Sequence, residues 1–383
     1  MLSKMPFILV AIVFAIIFLD PIIPLVGKQF LYAISLSIKD IIVMTLPFII
    51  FGLLFKAVVM LSKSATKIMV MILVFVCVSN FFSTFLSHYV GIWVYNFNLS
   101  IILPKNHLEL NPLWLIDLPK LIANDKAMFA GIIIGIVFSK AHQIAAHKVA
   151  VKIEVFINKV LQSFSYFIPL FVAGFVVKLQ YDGVIWLIVK DYTAIFVVIA
   201  LAQYSYIGLL YFLLSNRKFG LFIQSIKNML PAAISGFTSM SSAASMPLMI
   251  VGVESNAKNK DIIRSVVPMT INIHLIGDCF AIPILAYAII KSFGMAEPSL
   301  FNYLIFTCYF VLAKFSVAAI PGGGILVMLP ILSSYLDFDA SMLSLITSLY
   351  ILFDPVITCA NVFGNGAFAK MIDKYVSYFN LKK

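Results

Sequence analysis

The chain has 383 residues, 62% of them hydrophobic and only 11% charged, with a mean hydropathy of +1.07. Soluble domains sit at about 45–50% apolar and about 25% charged, so a water-soluble globular protein is excluded. The formal charge of +11 does not point to nucleic acid either, because Lys and Arg fall in short clusters between apolar runs rather than on one basic face.

Crossing about 30 Å of hydrocarbon takes roughly 20 apolar residues in a helix. Walking from one basic cluster to the next gives eight long spans, at about 6–26, 33–61, 67–96, 123–139, 153–178, 184–213, 261–290 and 341–369. The first, Pro6 to Val26, is too long for a signal-peptide core and has no cleavage site, so it is expected to remain as a membrane helix. The stretch from Asn98 to Lys126 is the most polar and is expected to form an external loop. Two further apolar stretches, about 221–252 and 301–336, are interrupted by SGFTSMSSAASMP and AAIPGGGIL. Each predicts two half-length helices joined by a polar or glycine-rich tip, a re-entrant hairpin that enters and leaves by one face.

The charges agree with that count. With the N-terminus cytoplasmic, the inner loops carry Lys56, Lys63, Lys67, Lys140, Lys148, Lys152, Arg217, Lys218, Lys227, Lys258, Lys260 and Arg264, and the C-terminus adds Lys370, Lys374, Lys382 and Lys383. Outer loops carry fewer basic residues and hold Glu109, Glu297, Asp337 and Asp339. The expected architecture is an all-α polytopic protein of about eight transmembrane helices and two re-entrant hairpins, multi-pass in the cytoplasmic membrane with both termini inside. Its last third repeats a hairpin followed by a helix, and inverted repeats with sites at mid-membrane are a transporter habit.

Non-helical backbone survives at membrane depth only where protein or a cavity surrounds it. At the first tip, Ser239, Ser241, Ser242 and Ser245 offer hydroxyls; at the second, Pro321, Gly322, Gly323 and Gly324 leave backbone exposed, and nearby helix N-termini suit a carboxylate. Close packing through small residues is the competing explanation. In the seventh span TINIHLIGDC places Asn272, His274 and Asp278 in an apolar setting, with His274 and Asp278 at the i, i+4 spacing that lets them share a proton or merely order the bundle. The last span carries Asp354 before a kinking Pro355, then Thr358, Asn361 and Asn365 as one polar stripe. Lys314 lies inside the second hairpin, where it either snorkels or neutralises a polar site.

With those residues in view, the chain resembles the dicarboxylate/amino acid:cation symporters, the glutamate-transporter or sodium:dicarboxylate symporter family. SMSSAASMP is similar to that family's serine-rich first hairpin, IPGGG to its V-P-G-A-G tip, and TINIHL to the beginning of its Asn-Met-Asp-Gly-Thr motif. Asp354 and Asn361 match its eighth-helix Asp and Asn; MTLPFIIFGLLFKAVVMLS and NPLWLIDLPKLIANDKAMFAGIIIGIVFS match its second helix and the entry to its fourth. The resemblance implies an elevator-type homotrimer, with scaffold helices mainly within 1–66 and 97–213 and transport elements at 67–96 and 221–372 of one domain. It implies that Asp354 binds a substrate amino group and Asn361 the main-chain carboxylate, with Ser241, Ser242, Thr358 and backbone at Gly322 and Gly323 completing the cradle.

The departures also carry meaning. Ile357 stands where acidic-substrate members have an arginine, His274 and Asn365 where they have sodium-ligating aspartates, and Lys314 near a backbone that helps to hold sodium. A coupling site of Thr270, Asn272, His274, Asp278, Lys314 and Asn365 is therefore expected to take a proton, or to be bypassed by exchange, with sodium on backbone carbonyls as the alternative. No cofactor and no firm metal site are expected. The expected function is secondary active transport of a small amino acid or carboxylate, a neutral amino acid being favoured. An ion channel or a non-coupled membrane receptor is the competing class. A membrane enzyme is disfavoured because His88, His107, His142, His147 and His274 are scattered and no H-E-x-x-H or G-x-S-x-G occurs.

Overall fold

The computed structural model describes residues 5–63, 67–96, 110–116, 118–119, 121–122, 124–183, 185–317 and 322–378. Among them the regular structure is entirely helical, as an apolar environment requires of a chain that must satisfy its own backbone groups. The helices are α1 (Met5–Leu19), α2 (Leu25–Lys63), α3 (Lys67–Asn96), α4 (Asn124–Ala141), α5 (Gln143–Tyr181), α6 (Ile185–Leu214) and α7 (Phe219–Ser239). They continue as α8 (Ser242–Asn256), α9 (Lys260–Thr270), α10 (Ile276–Ser292), α11 (Leu300–Lys314), α12 (Gly323–Tyr335) and α13 (Ala340–Tyr378). Among the described residues, Val70–Asn96, Tyr192–Leu214 and Ser341–Tyr378 are long and apolar enough to cross a bilayer.

Several expected boundaries move for visible reasons. The first span stops at Leu19 rather than 26, because Pro21 and Pro24 lack N–H groups and disfavour helix in the residue before each. The Lys28–Asp20 ion pair, 2.7 Å, closes that turn. The seventh span, expected as one helix over 261–290, is two helices separated by Ile271–Leu275. The last runs on through Pro355 as a single helix of 39 residues. Most of the expected external loop, including 97–109, lies outside the described residues.

Both interrupted stretches form paired helices. α7 ends at Met240, which adopts the left-handed conformation at φ 51° and returns its N–H to Gly236 O. Ser241 then caps α8, its hydroxyl oxygen accepting from Ala244 N at 3.3 Å. α11 ends at Lys314, and α12 starts after Gly322, also left-handed at φ 71°. Within each pair the two helices pack on one another.

The helices sort into two packed groups. α2 lies against α4 and α5, and α1 against α5, whereas α10 and α13 form the hub on which α3, α6, α7, α8 and α9 gather. α6, within the range expected of the scaffold, thus packs with the hub. The α2–α5 seam is set by close approach at Gly174, where an added Cβ would meet Ser35 Oγ at 2.1 Å and Leu31 O at 2.2 Å. Ser35 Oγ donates across the same seam to Phe171 O at 2.8 Å. Backbone cannot retreat as a side chain can, so Gly174→Ala is expected to cost about 1–3 kcal/mol through overpacking. Thermal denaturation in detergent checks this, and an unchanged midpoint would mean the seam is looser than described.

Candidate substrate site

The break between α9 and α10 strands backbone groups inside the protein, and three asparagines take them up. Asn80 on α3 donates Nδ2 to Ile273 O at 2.6 Å and accepts Leu275 N at its Oδ1 at 3.3 Å. Asn365 on α13 donates Nδ2 to His274 O at 2.8 Å and accepts Thr270 Oγ1 at 2.9 Å. Asn361, one turn earlier, accepts Gly277 N at 2.8 Å and so caps the start of α10. An unpaired buried peptide group costs about 1–3 kcal/mol, so these side chains hold the break open at a fixed geometry.

Asp278 stands in the first turn of α10, where the helix N-terminus favours an anion. Its Oδ2 accepts Lys314 Nζ at 2.8 Å; its Oδ1 accepts Tyr350 Oη at 2.8 Å and Asn361 Nδ2 at 3.2 Å. Both members of this ion pair are buried, with side chains 0% and 1% exposed. The Lys314 ammonium also lies 4.5 Å from the centroid of the Phe310 ring, a cation–π contact. Lys314 therefore neutralises a polar site and does not snorkel.

Asp354 lies one turn beyond Tyr350 on α13. Its Oδ2 accepts Gly322 N at 2.8 Å and its Oδ1 accepts Thr358 Oγ1 at 2.8 Å, so the carboxylate ties α13 to the start of α12 through neutral donors. Ser242, Asn272, Asp278, Asp354, Thr358 and Asn361 line one cavity together, with Tyr350 and Gly324 closing its wall. It encloses about 20 Å³, room for one water molecule. Gly324 must be a glycine, since a Cβ would meet Asp278 Oδ2 and Tyr350 Oη at 2.4 Å each. Met240 and Val317 bring the first turn and the second break to the same cavity.

Other expected site residues fall elsewhere. Ser241 caps α8, Gly323 begins α12 without lining the cavity, and Pro321 lies outside the described residues. Thr270, His274 and Asn365 form a second cluster behind the cavity, against α3. The expected proton-sharing pair of His274 and Asp278 is not formed. The break removes the helical register that the i, i+4 spacing assumed, Asp278 turns to Lys314, and His274 Nε2 meets Ser79 Oγ at 2.8 Å. His274 Nδ1 finds no hydrogen-bond partner among the described residues, and its ring packs on Phe368. Ile357 is fully buried and is not part of the cavity wall.

Sequence reasoning missed Tyr350, Ser79 and Asn80. Tyr350 precedes Asp354 by four residues, so extending the polar stripe one turn backwards finds it. Ser79-Asn80 in the third span was a signal of the same kind, a polar pair in an apolar helix.

The profile of the sodium:dicarboxylate symporter family matches residues 119–375. The chain belongs to that family. Membership makes it a membrane transport protein of a symporter family, with a small-molecule substrate, and points away from an enzyme. Among curated proteins, none matches the chain. The family match takes in α4 to α13 almost whole, and so covers every helix that contributes to the cavity.

Proposed function

We propose that this symporter-family protein carries a small neutral amino acid across the cytoplasmic membrane, holding its ammonium group at Asp354 and its carboxylate near Asn361 and the backbone of Gly322 and Gly323. The observation that supports this most is the charge balance of the cavity. Asp278 is matched by Lys314, whereas Asp354 meets only neutral donors. A buried anion with no cation beside it favours a ligand that brings one. Asn272, whose Oδ1 has no partner among the described residues, adds a neutral acceptor on the same wall. A dicarboxylate would instead bring two anions to a wall that already carries one unmatched carboxylate.

In this reading α7–α8 and α11–α12 are re-entrant hairpins among about eight spans. The α10–α13 hub moves as an elevator against a scaffold containing α1, α2, α4 and α5, in a homotrimer with both termini cytoplasmic. The cavity of about 20 Å³ is a closed form, and separation of α12 from Asp354 admits the substrate.

Coupling follows from the same charges. Sodium prefers a shell of oxygens with carboxylates to offset its dehydration. Here Asp278 is committed to Lys314, and the Thr270, His274 and Asn365 cluster holds no carboxylate: Thr270 bonds Asn365, Asn365 bonds the His274 backbone, and the His274 ring meets Ser79 on α3 while its Nδ1 has no partner among the described residues. Lys314 thus stands as a tethered cation, and transport is sodium-independent, by exchange or with a proton on His274. His274→Gln is expected to remove any pH-driven component while sparing exchange, because an amide can keep the bond to Ser79. Loss of exchange in that variant, measured as counterflow in proteoliposomes, would overturn the assignment.

The proposal as a whole is tested by uptake of labelled neutral amino acids, glutamate and succinate into proteoliposomes. Saturable uptake of a neutral amino acid is expected. Strong succinate uptake without competition from neutral amino acids would refute the substrate assignment, because succinate has no ammonium for Asp354.

A further inference from the structure

A second, larger cavity of about 260 Å³ opens at the far end of the α13 hub. It lies between the α6–α7 turn, the end of α8 and the last turns of α13, several turns further along that helix than Asp354, and shares no lining residue with the first cavity. Its wall carries Lys258, Lys370 and Lys374 against a single acid, Asp373. That acid is already spent. Its Oδ2 accepts Lys258 N at 2.9 Å, and its Oδ1 accepts Asn259 N at 2.8 Å and Asn259 Nδ2 at 2.9 Å, so it serves the start of α9 and forms no ion pair with the lysines.

The lysines are drawn inward by neutral groups. Lys370 Nζ donates to Ser215 Oγ at 2.8 Å and Ser225 Oγ at 2.6 Å, both serines being buried. Lys374 Nζ donates to Asn216 Oδ1 at 2.6 Å. An ammonium has three protons, so after these bonds each lysine still has donor capacity for a ligand. Ser255 and Ser377 add hydroxyls to the wall. Arg217, Lys218 and Lys260 follow in the adjoining turns, which makes this the basic end of the hub. Serines and an asparagine hold two ammonium groups at one pocket without neutralising either.

We propose that this pocket binds a phosphate group, either the headgroup phosphate of an anionic lipid or free inorganic phosphate. Lysines act as point charges toward phosphate oxygens, hydroxyls supply further hydrogen bonds, and basic pockets between membrane helices recognise anionic headgroups in this way. Occupancy bridges α6, α7, α8 and α13, and so stiffens the hub as one body.

The test is thermal denaturation of the purified full chain in detergent at fixed ionic strength. Added components are inorganic phosphate against chloride, and phosphatidylglycerol against phosphatidylcholine in mixed micelles. Phosphate or phosphatidylglycerol is expected to raise the midpoint by several degrees in the wild type and in Lys227→Gln, whose exposed side chain lies outside the pocket. The shift is expected to vanish in Lys370→Gln/Lys374→Gln. If that pair of substitutions prevents folding, Lys374→Gln alone, at an exposed position, is expected to lose at least half of it. A response to phosphatidylglycerol only identifies a lipid headgroup, and a response to inorganic phosphate identifies the free ion. No shift in the wild type with either, or an equal shift in the lysine variants, would overturn the proposal.

Discussion

Replacing Lys314 by Met is expected to destabilise the protein by about 3–5 kcal/mol, the usual consequence of removing one partner from a buried ion pair. Asp278 would keep Tyr350 and Asn361 as donors but lose its only counter-charge among the described residues, at a side chain 1% exposed. The loss therefore lies in an uncompensated carboxylate rather than in missing volume, since Met fills much of the space of a lysine stem. That distinction is measurable. Adding Asp278→Asn to Lys314→Met should recover most of the stability, because a neutral amide has no charge to leave unmatched. If the double variant is as unstable as the single one in detergent denaturation, the pair is not the electrostatic unit described here.

The second large effect is expected at Asp354→Asn. A charge-assisted bond from a ligand ammonium to a carboxylate is worth about 1.5–3 kcal/mol. Uptake efficiency for a neutral amino acid should accordingly fall by about 10- to 100-fold. The fold should hold, because an amide oxygen can still accept Gly322 N, now at 2.8 Å from Oδ2. Uptake of an ammonium-bearing substrate at the wild-type rate by a well-folded Asp354→Asn protein would remove Asp354 from the binding site.

How much of this was legible in the sequence differs between elements for physical reasons. α3 and α4 follow the expected spans to within a few residues, because each is bounded by polar or basic residues and contains no proline. The two interrupted stretches were readable as helix pairs because small residues and glycine mark them, and described residues beside both breaks, Met240 and Ser242 at the first and Val317 and Gly324 at the second, line one cavity. The break in the seventh span was not readable. TINIHLIGDC contains no proline or glycine at the break itself, and its opening depends on side chains distant in sequence: Asn80 and Asn365 donate to its stranded carbonyls, and Asn361 accepts the Gly277 N–H. The same break misled the pairing of His274 with Asp278, a helical spacing across residues that are not one helix. Lys314 was legible as an anomaly, since a lysine inside an apolar stretch demands a partner, but its partner is 36 positions away. Ile357 illustrates the converse, for a residue matched to a family position by sequence proves to face the packed interior instead of the cavity.

The central claim is that the site carries its own cation, Lys314, and takes an ammonium-bearing substrate without sodium. Proteoliposomes containing the protein and loaded with a neutral amino acid found to be transported should be assayed for uptake of the labelled amino acid at one fixed pH, with external sodium replaced completely by potassium. Uptake that is saturable and unchanged by the replacement is the expected result; uptake that collapses without sodium would contradict the account.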